Sequence, residues 1–252
     1  MKYTSVTPGI FLARPNRFIA VCRVNGRETP VHVKNTGRCR ELLIPGTEVW
    51  LEPAADPGRK TTWSLVTVKK GGMLVNLDSQ APNRVAEEGF RSGALALPGL
   101  ENPELVRRET VFGGSRLDFK LEGRFGTAFG EVKGVTLEEN GVCAFPDAPT
   151  ERGVRHIEEL IRAKEEGFGA FLLFVVQMEG MRCLIPNDKT HPAFGEALRR
   201  AAGAGVLIAA RECRVLPGEI TIAGEIPVFP DGIPGQTTGN PPGRKPLWRT
   251  EG

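Results

Sequence analysis

The chain has 252 residues, 40% of them apolar and 25% charged, which suits a folded globular protein and excludes a mostly disordered or collagenous one. Its longest nearly apolar stretch, Phe168 to Met178, is broken by Gly169 and is far shorter than the roughly 20 residues that span a bilayer. Met1-Lys2-Tyr3-Thr4-Ser5 lacks the apolar run of a secretory signal, and the five cysteines are odd in number with no Cys-x-x-Cys pair. A cytoplasmic protein with reduced thiols is therefore expected.

The formal net charge of +3 is unevenly spread. Residues 1–85 carry 13 Lys and Arg against 6 Asp and Glu, a net +7, whereas residues 86–252 carry 20 against 24, a net −4. A basic first third points to a part that holds a polyanion, and the acidic remainder to carboxylates with another task. A solvated basic surface without a partner would give the same count.

In chain order, Arg17 to Val24 and Glu28 to Val33 flank Asn25-Gly26, a dipeptide that accepts positive φ and so predicts a two-residue hairpin. Arg38 to Leu43 reads as one short helical turn stopped by Pro45-Gly46, and Thr47 to Glu52, Thr62 to Val68 and Met73 to Leu77 read as strands. Short strands with one small helix over this length fit a small barrel of the oligonucleotide-binding (OB) kind. Helices are expected over Asn83 to Arg91, Pro103 to Glu109, Thr150 to Glu166 and Pro192 to Ala202. Strands are expected over Ser115 to Leu121, Ala128 to Val135, Val142 to Phe145, Phe168 to Gln177, Arg182 to Ile185 and Val206 to Val215. This alternation implies a layered α/β domain. The expected organisation is an OB-like domain over 1–82, the α/β domain over 83–230 and a flexible Pro/Gly-rich tail over 231–252.

Three windows carry chemistry. In Gly130-Glu131-Val132-Lys133 a strand would project Glu131 and Lys133 from one face. A neighbouring strand can bring Asp118, of Ser115-Arg116-Leu117-Asp118-Phe119, beside them. Two carboxylates and a backbone carbonyl suit Mg²⁺ or Mn²⁺, and the lysine can orient or help deprotonate a water and offset phosphate charge. An exposed strand face with an ordinary salt bridge would carry the same letters. The Asp…Glu-x-Lys spacing resembles the core of the PD-(D/E)xK nuclease superfamily. The second window places Arg152 and His156 one turn apart near a helix start, where they can clamp a phosphate or serve only as capping and a solvated face. The third, Asn35-Thr36-Gly37-Arg38 with Lys34 and Arg40, offers polar and basic contacts to nucleic acid or a capped turn.

Taken in order, Asn35-Thr36-Gly37, Asn76 through Asn83, Ser115-Arg116-Leu117-Asp118-Phe119, Glu131-Val132-Lys133-Gly134-Val135-Thr136-Leu137 and Phe145-Pro146-Asp147-Ala148 with Thr150-Glu151-Arg152-Gly153 closely resemble the sugar fermentation stimulation protein A (SfsA) family. His156, Glu159 and Leu160 extend the last stretch, and Gly134, Pro149 and His191 depart from the family pattern. The resemblance implies an α+β architecture: an OB-fold-like barrel followed by an α/β PD-(D/E)xK nuclease-like domain, with DNA binding. It implies Asp118, Glu131 and Lys133 as catalytic residues, with Asp118 and Glu131 as metal ligands and Glu109, on a preceding helix, as a further one. Lys34, Asn35, Thr36, Arg38, Arg40, Arg116, Arg152 and His156 form the expected nucleic-acid contacts. The leading expectation is a DNA-binding, Mg²⁺-dependent phosphodiesterase. The alternatives are a non-catalytic DNA-binding regulator of sugar-utilisation genes on a nuclease-like scaffold, and a sugar- or nucleotide-responsive interaction protein. The oligomeric state stays open, a homodimer included.

Overall fold

The computed structural model describes residues 1–35, 37–56 and 58–234. The expected tail therefore falls, from residue 235 on, outside the described residues. No helix among them is long and apolar enough to cross a membrane.

The first strands are β1 (Thr7–Ala13), β2 (Ile19–Val24), β3 (Arg27–Val33), β4 (Glu48–Pro53), β5 (Trp63–Lys70) and β6 (Met73–Asn76). Asn25 and Gly26 take φ of 50° and 77°, the left-handed pair that a tight hairpin needs, and β2 and β3 pair antiparallel across them. β1 also pairs with β2 and β4, β4 pairs with β5, and parallel pairing of His32 with Ser64 and Val33 with Leu65 closes the ring. The result is a closed five-stranded OB barrel. Its interior is filled by the alternate residues of each strand, such as Ala20, Cys22 and Val24 of β2. The expected helical turn after Arg38 is a single turn: Cys39 has φ of 45°, and its carbonyl accepts from Leu43 N at 2.9 Å before Gly46 ends it.

The second unit comprises α1 (Ala81–Ser92), β7 (Leu105–Phe112), β8 (Ser115–Gly123), β9 (Gly126–Val135), β10 (Glu138–Glu139), β11 (Val142–Phe145), α2 (Glu151–Glu165), β12 (Gly169–Val176), β13 (Cys183–Pro186), α3 (Pro192–Gly203), β14 (Leu207–Leu216) and β15 (Glu219–Ile226). A six-stranded sheet runs β15-β14-β12-β9-β8-β7, parallel at β9, β12 and β14 and antiparallel at its edges. Its two faces bury separate cores. Phe129 and Val135 of β9 pack with Ile157 and Leu160 of α2, while Ala128 and Val132 pack with Val85 and Ala86 of α1. The central strand β12 is buried along almost its whole length, as parallel strands covered on both faces must be.

The helix expected over Pro103 to Glu109 is instead the start of β7. Val106 is buried while Leu105, Arg107, Glu109 and Val111 are exposed, a period of two that pairing with β8 enforces over the local helical preference. β1 and β15 carry little strand signal in the sequence, because Pro8 and Gly9 interrupt the first and Glu219, Gly224 and Glu225 dilute the second.

The barrel is fastened to the α/β unit by a buried polar junction. Asn76 N donates to the Gln177 carbonyl at 2.9 Å, and Gln177 Nε2 returns bonds to the Asn76 carbonyl, Asn76 Oδ1 and the Asp78 carbonyl at 2.9, 3.0 and 3.1 Å. Gln177 N is itself bonded to the Val135 carbonyl at 2.9 Å, so the junction reaches the end of β9 directly.

Close packing of β9 on β12 depends on Gly130, where an added Cβ would lie 2.0 Å from the Phe171 ring. Phe171 is held by an edge-on contact with Phe90 at 5.6 Å and has no room to retreat. Gly130→Ala is accordingly expected to lower the unfolding free energy by about 3 kcal/mol, read as a drop in the urea midpoint at unchanged slope.

Candidate functional site

The β8–β9 ladder ends at the Phe119–Gly130 pair. Beyond it the strands part, and a side chain takes over where a backbone acceptor would stand. Val132 N donates to Asp118 Oδ2 at 2.8 Å, and Asn83 Nδ2 of α1 donates to Asp118 Oδ1 at 2.9 Å. Burial pushes the Asp118 carboxyl above the usual range, and the neighbouring Glu131 charge adds to the rise, which the Val132 N–H, Lys133 and Asn83 only partly offset.

Glu131 and Lys133 project from the α2 side of β9, as their two-residue spacing requires. Glu131 is 3% exposed, and its Oε1 accepts from Lys133 Nζ at 2.5 Å and from His156 Nδ1. Burial alone would raise the Glu131 carboxyl. The His156 hydrogen bond and the Lys133 ammonium outweigh it and hold the group below the usual range. The two carboxylates are thus pushed apart, Asp118 upward by burial and the Glu131 charge, Glu131 downward by His156 and Lys133. Glu131 Oε2 is buried with no hydrogen-bond partner among the described residues.

Helix α2 brings the other half. Thr150 caps it, accepting from Gly153 N at 3.1 Å. Arg152 Nε donates to His156 Nε2 at 3.2 Å; because arginine can only donate, that ring nitrogen is an acceptor and the imidazole proton sits on Nδ1, aimed at Glu131. Arg152 and His156 are therefore joined, but not as two open phosphate contacts. His156 is buried behind Glu131, and Arg152 is the exposed member of the pair.

The remaining expected residues scatter. Glu109 lies on strand β7, not on a helix. It is exposed and paired with Arg116 at 3.4 Å, and no group of three or more acidic, His or Cys side chains converges as a metal cage among the described residues. What the structure corrects is its element, a strand in place of the expected helix; its carboxylate is one half of a surface ion pair. Arg116 is likewise exposed, at 64%, and engaged with Glu109. Lys34 is not an open cation: its ammonium lies between Asp78 and Glu52 at 3.0 and 3.2 Å. Asn35 Oδ1 accepts from Gly37 N at 2.7 Å, and its side chain borders a cleft of about 110 Å³ with Ser79, Gly134, Thr136, Asp147 and Gln177. Thr36 lies outside the described residues. Arg38 and Arg40 are exposed on a basic concavity of the barrel. Sequence reasoning missed Asn83, which nothing in charge or spacing marks although it ends one of the resembling stretches, and Arg14, whose partners come from a loop some 20 residues away.

A five-stranded OB barrel docked on a sheet whose parting strands carry Asp118, Glu131 and Lys133 defines a two-part protein, an OB module joined to a PD-(D/E)xK-type α/β module. The chain belongs to the sugar fermentation stimulation protein family: the SfsA N-terminal OB domain matches residues 12–77 and the sugar fermentation stimulation protein RE domain residues 80–219. A sugar fermentation stimulation protein homolog of Desulfitobacterium hafniense (strain DSM 10664 / DCB-2) is 49% identical over 220 residues, 87% of this chain and 94% of that protein. A homolog of Clostridium perfringens (strain 13 / Type A) is 49% identical over 230 residues, 90% of this chain and 99% of that protein. The solved structure of Pyrococcus furiosus SfsA in complex with Ca²⁺ is similar with a TM-score of 0.82 and 34% identity, covering 91% of this chain and 98% of that one.

The Lys34 geometry makes a specific demand. Asp78 is 2% exposed and Lys34 20%, so removing the ammonium strands a buried carboxylate. Lys34→Met is expected to lower stability by about 2 kcal/mol, less than for a fully buried pair because Lys34 keeps some water contact. Urea melts should show the loss and its recovery when Asp78→Asn is added.

Proposed function

We propose that this chain binds nucleic acid and hydrolyses its phosphodiester bonds with a divalent cation, Mg²⁺ or Mn²⁺, held by Asp118 and Glu131. The observation that carries this is Glu131 Oε2, a buried carboxylate oxygen with no hydrogen-bond partner among the described residues, beside the half-buried Asp118 carboxylate. Such an atom is costly unless something completes it, and the chemistry of two adjacent carboxylates selects a cation. Two carboxylates with no wider cage fit a hard ion that keeps several waters and takes phosphate oxygens as further ligands. The Ca²⁺ named for the P. furiosus structure is a cation of the same oxygen-seeking class.

When bound, the cation supplies a polarised phosphate and a more acidic water. The chain supplies the rest. Asn83 and the Val132 N–H hold Asp118 in place; His156 occupies Glu131 Oε1 and leaves Oε2 for the cation. Lys133, on the same face, places positive charge where phosphate charge grows and orients the attacking water. Arg152 spends only its Nε on His156 among the described residues, so its Nη groups are available to a phosphate oxygen.

Incubation of the purified protein with single- and double-stranded DNA and RNA plus Mg²⁺ or Mn²⁺ tests this. Cleavage is expected, lost in chelator and lowered roughly 100-fold or more in Glu131→Ala and Lys133→Ala. Salt-dependent binding without any turnover would show the alternative, a non-catalytic DNA-binding regulator on a nuclease-like scaffold. Without nucleic acid, calorimetric titration should show Mn²⁺ affinity roughly 10- to 100-fold weaker in Asn83→Ala, since a group that orients a ligand tunes the site.

A further inference from the structure

Arg14 joins two loops of the barrel. Its Nη1 donates to the Gly37 and Arg38 carbonyls at 2.8 and 2.6 Å, and its Nη2 to the Arg17 and Asn35 carbonyls, both at 2.8 Å. One guanidinium thus staples the β1–β2 loop to the β3–β4 loop. Asn16 Oδ1 accepts from Phe18 N and Ile19 N at 2.9 and 3.0 Å and fixes the backbone beneath Phe18.

What this bracing presents is unusual for an idle surface. Arg14, Asn16, Arg17, Gly37, Arg38, Arg40 and Leu43 enclose a concavity of about 230 Å³ with no acidic side chain in its lining. Arg17, Arg38 and Arg40 are exposed and form no ion pair among the described residues. By contrast, Lys34, Lys69 and Lys70 of the same domain are each neutralised by a carboxylate. At the rim stands Phe18, 45% exposed, with the Arg17 guanidinium 4.7 Å from its ring centroid.

We infer that this braced loop pair is a binding site for an unpaired nucleic-acid strand, with Phe18 as the platform for a base and Arg17, Arg38 and Arg40 as phosphate contacts. The charge selects a polyanion. The aromatic face selects among polyanions: a free base can stack on it, whereas the bases of a duplex are already stacked on one another. The site deepens the function proposed above and rests on it for where the strand goes next. Gly37 lines the concavity and also abuts Asp147, while Asn35 and Asp147 border a second cleft whose lining includes Gly134 and Thr136. Glu131, at 3% exposure, is recessed enough to favour a single strand over a rigid duplex.

Fluorescence anisotropy in chelator, where no turnover occurs, separates these ideas. The probes are a labelled single-stranded DNA 12-mer, the matching RNA, a blunt duplex of equal length, and inorganic polyphosphate as competitor. Single strands are expected to bind at least about tenfold tighter than duplex. Phe18→Ala should weaken single-strand binding about tenfold or more, and Phe18→Trp should retain it. Arg38→Ala and Arg40→Ala should each reduce the salt-dependence slope by about one. Equal or tighter duplex binding, displacement by polyphosphate at matched charge, or indifference to Phe18→Ala would overturn the site. Cleavage that persists with no single-strand preference would remove this inference alone. Single-strand binding with these signatures but no cleavage in Mn²⁺ would remove the nuclease proposal and leave the binding site standing.

Discussion

Much of this structure is arranged around one carboxylate. Glu131 is almost sealed from water yet held ionised, because His156 and Lys133 both bind its Oε1. An isolated buried carboxylate would take up a proton or pull the strand out of the sheet. That constraint requires α2 to start where it does, with Thr150 capping its first turn and Arg152 setting the His156 tautomer. It also requires β9 to turn Glu131 and Lys133 toward α2 while Val132 and Ala128 face α1. The unpartnered Oε2 is what remains after these bonds are made.

The opposite carboxylate is held by a different device. Asp118 stands where the β8–β9 ladder gives out, so its side chain accepts the Val132 N–H that no backbone carbonyl reaches. Asn83 approaches from α1, and α1 begins just after the Asn76–Asp78 segment that Gln177 ties to β9. The joint between barrel and sheet therefore continues into the element that holds Asp118. Lys34, basic in composition, is consumed in this joint, whereas Arg17, Arg38 and Arg40 are exposed and form no ion pair among the described residues.

Where sequence reasoning and structure agree, the signal was local. Asn25-Gly26 dictates its hairpin because few other dipeptides accept positive φ twice. Glu131 and Lys133 share a face because a strand alternates, and the apolar spacing of Ile157, Leu160 and Ile161 marks α2. Where they part, the deciding partner is distant. Glu109 reads as the end of a helix until pairing of its neighbours Arg108 and Thr110 with β8 makes it part of an edge strand, where its carboxylate meets Arg116. His156 reads as a phosphate ligand until burial turns it onto Glu131. Arg14 carries no local signal, because a second loop supplies three of its four carbonyls.

By itself the sequence determined the order and type of most elements, the division into a basic barrel and an acidic α/β part, and the Asp118, Glu131 and Lys133 set, because periodicity, turn chemistry and charge act over a few residues. Only the tertiary structure decided which charges are open and which are spent. Lys34, Glu109, Arg116 and His156 acquire partners 7 to 44 residues away in the chain. A charge gains or loses its availability through neighbours within a few ångströms, and those neighbours are chosen by the fold.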